Sequence, residues 1–279
     1  MNVVAGWPLI PVQIDDPVLF LALGSLAAVL FSLAKSGFGG SVGILAVPVM
    51  IFACGDRTSL ALGLLLPMLI AADYVAVVLW WRKWDGRAVL RVLPGVAIGI
   101  GAAWAALYLL RRWDVRTSAD LTDPALKLGI GVIALGFVAL QGVRALRGRA
   151  LVVEPKWPAM VLVGAAAGVT SMVAHAAGPV VAMYMLSLGM PKGRYVASIA
   201  ITFWAINHAK LPAYVQLGMI NTDTLGAAIL LLPAIVVGAV AGILLHRRLG
   251  ERQFTGAVYA LLAIAGAGLL YEGIRAIWG

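Results

Sequence analysis

Charge is scarce in this chain: Asp, Glu, Lys and Arg together make up 12% of its 279 residues, while 62% are hydrophobic. A soluble domain carries roughly twice that share of charge, so a water-soluble globule is excluded. Cysteine is nearly absent too. Cys54 alone allows no intrachain disulfide and no cysteine cluster, and a buried, inert thiol is the expectation for it. Strand-like alternation of apolar and polar residues is lacking, which argues against a transmembrane barrel. No Walker loop and no His-x-x-x-His pair occur, so ATP hydrolysis and the commoner metal chemistries lack residues, and neither an enzyme nor a cofactor or metal site is expected. The first 16 residues have no basic segment of a cleaved leader and hold Asp15 and Asp16, so the first apolar run is expected to stay in the mature chain.

What is present is a series of apolar runs, with a mean hydropathy of +0.99. A hydrocarbon core about 30 Å thick requires about 20 apolar residues of helix at about 1.5 Å per residue. The fold expected is therefore an all-α polytopic membrane protein. Runs between charged or Gly/Pro breaks predict helices over 17–34, 39–53, 57–82, 86–111 and 124–147, then 157–173, 177–189, 192–216, 222–247 and 252–276. The second element of each half, 39–53 and 177–189, is too short to cross and reads as a re-entrant or broken helix.

The halves, 17–147 and 157–276, read as a duplication. Adding 139 to each number pairs Ser32 with Ser171, Gly39 with Gly178, Val42 with Val181, Pro94 with Pro233 and Gly99 with Gly238. Five elements per half make the second copy enter from the opposite side, which is an inverted repeat. The formal charge of +9 agrees, because its Lys and Arg sit in connections between helices. Arg82, Lys83, Arg87 and Arg91, then Arg144, Arg147, Arg149 and Lys156, then Lys192 and Arg194, and finally Arg247, Arg248 and Arg252 all fall on one side. That side is expected to be cytoplasmic, with both termini outside. The same distribution argues for membrane orientation rather than nucleic-acid binding. Gly95 and Gly99, Gly164 and Gly168, and Gly238 and Gly242 share helix faces at spacing four and are expected at close crossings.

Two breaks carry the polar residues. The first is Lys35-Ser36-Gly37-Phe38-Gly39-Gly40-Ser41 and the second Ala174-His175-Ala176-Ala177-Gly178-Pro179-Val180. A helix starting in mid-membrane presents unpaired N–H groups and partial positive charge, a ready anion site. Gly39, Gly40, Ser41 and Gly178 are the expected backbone donors. Lys35, Ser36 and His175 are candidate side-chain contacts, although Lys35 also fits an inner-surface lysine and His175 a satisfied core residue. In 192–216 the face Trp204, Asn207, Lys210 and Tyr214 suits a cavity wall, with Asn207 and Lys210 as substrate contacts, or with Lys210 snorkelling to water. Asp73 is the carboxylate inside a predicted span. It pairs with Lys210, Lys35 or an outer arginine, or it relays a proton, and with His175 it is a candidate for proton coupling.

At this point the chain resembles the sulfite exporter TauE/SafE family of bacterial inner-membrane proteins. The features that carry the resemblance are Lys35-Ser36-Gly37-Phe38-Gly39-Gly40 followed by an apolar run to Pro48, and Gly168 through Ser171 followed by Gly178-Pro179. The small apolar region at Ala61 with a basic aromatic loop after it, and Pro233 through Gly242, are similar too. The second break departs from the run of several glycines common in the family. The resemblance implies secondary transport, without an ATP-driven subunit, of sulfite or a small organosulfonate such as sulfoacetate, as export or, in some members, import. The expected partners are a small anion and the lipid bilayer, with the protein a monomer or homodimer. Two other readings stay open on the residues alone: an anion channel using the same helix ends, and a non-transporting assembly protein in which the polar residues only fix packing.

Overall fold

The computed structural model describes residues 9–11, 13–37, 45–117, 120–147, 156–246 and 251–278, and these form ten α-helices and no strand. In chain order they are α1 (Pro17–Gly37), α2 (Ala46–Ala53), α3 (Thr58–Leu79), α4 (Gly86–Thr117), α5 (Thr122–Arg147), α6 (Trp157–Ala174), α7 (Gly178–Ser187), α8 (Lys192–Gln216), α9 (Thr222–His246) and α10 (Glu251–Trp278). Six of them, α3, α4, α5, α6, α9 and α10, contain stretches long and apolar enough to cross a membrane. With 8 and 10 residues, α2 and α7 reach only about 12 and 15 Å and cannot cross.

The element order is the one expected, and the differences lie at the ends. Helix α1 runs past 34 to Gly37, so Lys35 and Ser36 belong to its last turn and not to a break. Nothing before Gly37 stops the helix, and a lysine is favoured at a helix C-terminus by the dipole. Helix α4 continues from the expected end at 111 to Thr117, since Arg111 to Arg116 holds neither Gly nor Pro. Acidic residues account for several helix starts. Asp16 accepts from the amides of Val18 and Leu19, Asp85 from Arg87 and Ala88, and Asp123 from Thr58 and Ser59. Each satisfies amides that the helix itself leaves unpaired.

Three helix pairs form the frame: α4 with α6, α1 with α9, and α5 with α10. All three depend on missing side chains. A Cβ placed on Gly95, Gly99, Gly164 or Gly168 would lie 2.1–2.4 Å from a carbonyl oxygen of the facing helix, and one on Gly238 would lie 2.5 Å from the Val29 carbonyl. Dispersion between touching backbones is what holds such pairs in lipid, where helices gain nothing from leaving water. Ser32 adds a hydrogen bond across the α1–α9 crossing, donating to the Ile235 carbonyl at 2.6 Å. Inside this frame α3 packs on α8 and α9, and half of its span is buried against 22% for α10. Leu90, Ile98, Val132, Val236 and Ile264 point outward, as lipid-facing residues do.

Gly164→Val is expected to destabilise the fold by about 1–3 kcal/mol or to prevent folding, as overpacking does. Gly101→Ala, which meets nothing within 4 Å, is expected to leave stability unchanged or slightly raised. Unfolding in mixed micelles distinguishes the two.

Candidate functional site

One buried carboxylate gathers three helices. Asp73 of α3 has no exposure; its Oδ1 accepts from Lys35 Nζ of α1 and its Oδ2 from Asn207 Nδ2 of α8 at 2.6 Å. Both carboxylate oxygens are thus matched by donors, which is what a charge in a low-dielectric interior requires. Lys35 keeps 13% exposure, and its ammonium sits 5.5 and 5.7 Å from the ring centroids of Phe31 and Phe203, within cation–π range.

The break between α6 and α7 is the second part. Helix α6 ends at His175, whose backbone is left-handed at φ 49° and ψ 29°. The amides of His175 and Ala176 turn back to the carbonyls of Ser171 and Thr170. Helix α8 supplies the remaining caps: Lys210 Nζ donates to the Ser171 carbonyl at 3.2 Å, and the Tyr214 hydroxyl to the Met172 carbonyl at 2.8 Å. A helix end inside the membrane has no water for its last carbonyls, and these two side chains replace it. His175 Nε2 lies 3.1 Å from the Leu62 carbonyl of α3, and Nδ1 lies 2.8 Å from Lys210 Nζ. Pro67, five residues beyond Leu62, has no N–H for the neighbouring Gly63 carbonyl and so interrupts the α3 hydrogen-bond ladder in this region.

Between these two clusters lies a cavity of about 30 Å³ as swept by the centre of a water molecule, bordered by Lys35, Asn207, Ser171, His175, Ala177, Gly178, Phe31, Leu69 and Phe203. That is room for a water or two, or for a small ion. Ala177 and Gly178 bring the start of α7 to its wall, where the first-turn amides have no partner within the helix. Pro179 follows, in a position where its missing N–H is no loss. One wall is thus electropositive and the other apolar.

Of the residues expected at the site, Lys35, His175, Gly178 and Asn207 border this cavity together. Lys210 stands behind them with no exposure, bound to His175 and Ser171, so it does not snorkel to water. Asp73 pairs with Lys35 and Asn207 and also lies behind the wall. Ser36 lies in the last turn of α1, and Gly39, Gly40 and Ser41 fall outside the described residues. Trp204 leaves the expected stripe: it stacks on His208 at 4.3 Å between ring centroids, beside exposed Tyr74, whose hydroxyl lies 3.1 Å from His208 Nε2. Three apolar lining residues escaped the reading. Phe31, Leu69 and Phe203 each precede a polar site residue, Lys35, Asp73 and Asn207, by four positions, and that one-turn spacing was the available signal.

Replacing Lys35 with Met or Asp73 with Leu is expected to cost about 2–4 kcal/mol each, since either strands a charge in the core, though Lys35 retains its 13% exposure. The double variant is expected to recover most of that loss. A double-mutant cycle in mixed micelles measures the coupling, and additive losses would show that the two side chains do not depend on each other.

Comparison with curated proteins and with solved structures gave no match. The family model described as sulfite exporter TauE/SafE matches residues 21–269, a span that includes every residue bordering the cavity. This polytopic membrane protein belongs to the sulfite exporter TauE/SafE family.

Proposed function

We propose that the chain is a secondary transporter of the bacterial inner membrane that moves a small sulfur-containing anion, sulfite or an organosulfonate such as sulfoacetate, in the direction of export. The observation that carries this reading is the convergence of Lys35, His175, Gly178 and Asn207 on one small cavity beside the start of α7. An oxyanion there receives backbone N–H groups and an ammonium, while Phe31, Leu69 and Phe203 accept an apolar substituent and exclude water. Lys210 and Asp73 hold these contacts in place from behind. By the offset that pairs the breaks, Gly39, Gly40 and Ser41 are the donors of the first half and Ser36 its hydroxyl contact. A monomer and a homodimer both fit this reading.

Residues 17–147 and 157–276 are read as inverted repeats that rock against each other around this cavity to expose it alternately to the two sides. Helix pairing supports the relation. Shifting by five elements turns the α1–α9 pair into the α6–α4 pair and returns the α5–α10 and α3–α8 pairs to themselves. The crossing of Gly238 on Val29 corresponds, at 139 residues, to that of Gly99 on Gly168. With basic connections on the cytoplasmic side, both termini lie outside.

In proteoliposomes, saturable flux of sulfite or sulfoacetate, with sulfate as comparator, is the expected result. Lys35→Ala in an Asp73→Asn background, which strands no charge, is expected to lower that flux at least about tenfold, the loss of one charge-assisted hydrogen bond. Flux that fails to saturate would replace the carrier by a channel. Absence of flux for all three anions would sink the transport reading.

A further inference from the structure

We propose that the Lys210–His175 pair carries a proton together with each anion, and that Asp73 carries none. The inference rests on the transporter reading and names the group that couples it to protons. A carbonyl oxygen only accepts, so His175 Nε2, 3.1 Å from that of Leu62, bears a hydrogen. Nδ1 then faces Lys210 Nζ at 2.8 Å. With an ammonium and a neutral ring, Nζ donates to Nδ1. With both groups neutral, the amine still donates to Nδ1 and to the Ser171 carbonyl at 3.2 Å. With both charged, two N–H groups would oppose each other and two positive charges would share the membrane core. That third state is excluded. The pair therefore holds either no proton charge or one.

Its position ties that proton to the cavity. His175 borders the cavity, and Lys210, which has no exposure, lies behind the ring. An entering anion meets a Lys35 charge already balanced by Asp73, so the positive charge left to balance the anion is the one on the pair. Binding is then mutual: the proton raises affinity for the anion, and the anion raises affinity for the proton by the same factor. Asp73 is no rival, because Lys35 and Asn207 occupy both of its oxygens.

Among the described residues, the groups facing the pair are few. From α8, Tyr214 stands with its ring centroid 5.7 Å from Nζ and its hydroxyl on Met172. From α1, Lys35 is the cation whose field reaches Lys210, with Asp73 of α3 beside it. Helix α6 presents carbonyls, and Tyr184 of α7 turns to the Ala88 carbonyl. Helix α4 has no charged residue between Arg91 and Arg111, and helix α5 none between Lys127 and Arg144. In one cycle a proton from one compartment adds to the pair as the anion enters, and both leave to the other. For a monoanion no net charge moves, and export is driven by the anion's own outward gradient, which carries the proton out with it.

Methanesulfonate, charged across the working range, is the probe. In wild-type proteoliposomes a tenfold proton gradient at zero potential is expected to concentrate it about tenfold on the alkaline side, and a tenfold K⁺ gradient with valinomycin at equal pH is expected to leave it even. In the double variant His175→Gln/Lys210→Gln neither side chain takes a proton, and both amides keep donors for the Leu62 and Ser171 carbonyls. That variant is expected to ignore the pH gradient and follow the potential. Wild-type accumulation that follows potential alone, or a His175→Gln/Lys210→Gln variant still driven by pH, overturns the proposal. A measurement needing no variant is proton uptake by lightly buffered wild-type protein on adding methanesulfonate, scanned from acid to alkaline pH. A maximum approaching one proton per chain is expected, and none at any pH would overturn the coupling. A wild-type protein that moves neither methanesulfonate nor sulfite defeats the transport reading itself, whereas movement without protons defeats only the coupling.

Discussion

A carboxylate with no access to water must be matched on both oxygens, and the arrangement of the central helices depends on how Asp73 meets that requirement. Lys35 arrives from the last turn of α1 and Asn207 from α8, so three helices are fixed in rotation by one side chain. Hydrophobic matching alone would not do this in lipid, where one apolar face serves as well as another. The directional bonds select the register, and the glycine crossings of the outer frame then bring the helices close enough to make them.

The broken helix presents the complementary problem. An interrupted backbone in the membrane leaves carbonyls at the end of α6 and amides at the start of α7, with opposite needs. Lys210 and Tyr214 serve the carbonyls, and Ala177 and Gly178 at the start of α7 border the cavity. The two ends therefore differ: the protein's own donors close the negative end, and the positive end lies at the cavity wall.

Much of this was legible without coordinates. Gly178-Pro179 announced a helix start, glycines at spacing four announced close crossings, and Asn207 and Lys210 stood out because polar residues in a span need a reason to be there. What the sequence concealed were matters of partnership. Asp73 had three kinds of candidate cation, and only the fold, which brings the last turn of α1 to the Asp73 carboxylate, chose Lys35. The end of α1 was placed too early because a lysine reads as an interface, whereas pairing with a buried carboxylate keeps it inside the helix. The apolar lining went unnoticed because Phe31, Leu69 and Phe203 look like any other membrane residues.

The left-handed backbone of His175 has one more implication. Only glycine adopts that conformation freely, and for other residues it costs of order 1 kcal/mol or more. A glycine would end α6 with less strain and the same turn. The chain instead holds an imidazole at the one position of the break where any side chain is a burden on folding, so the residue is best understood as kept for its ring nitrogens and not for the bend.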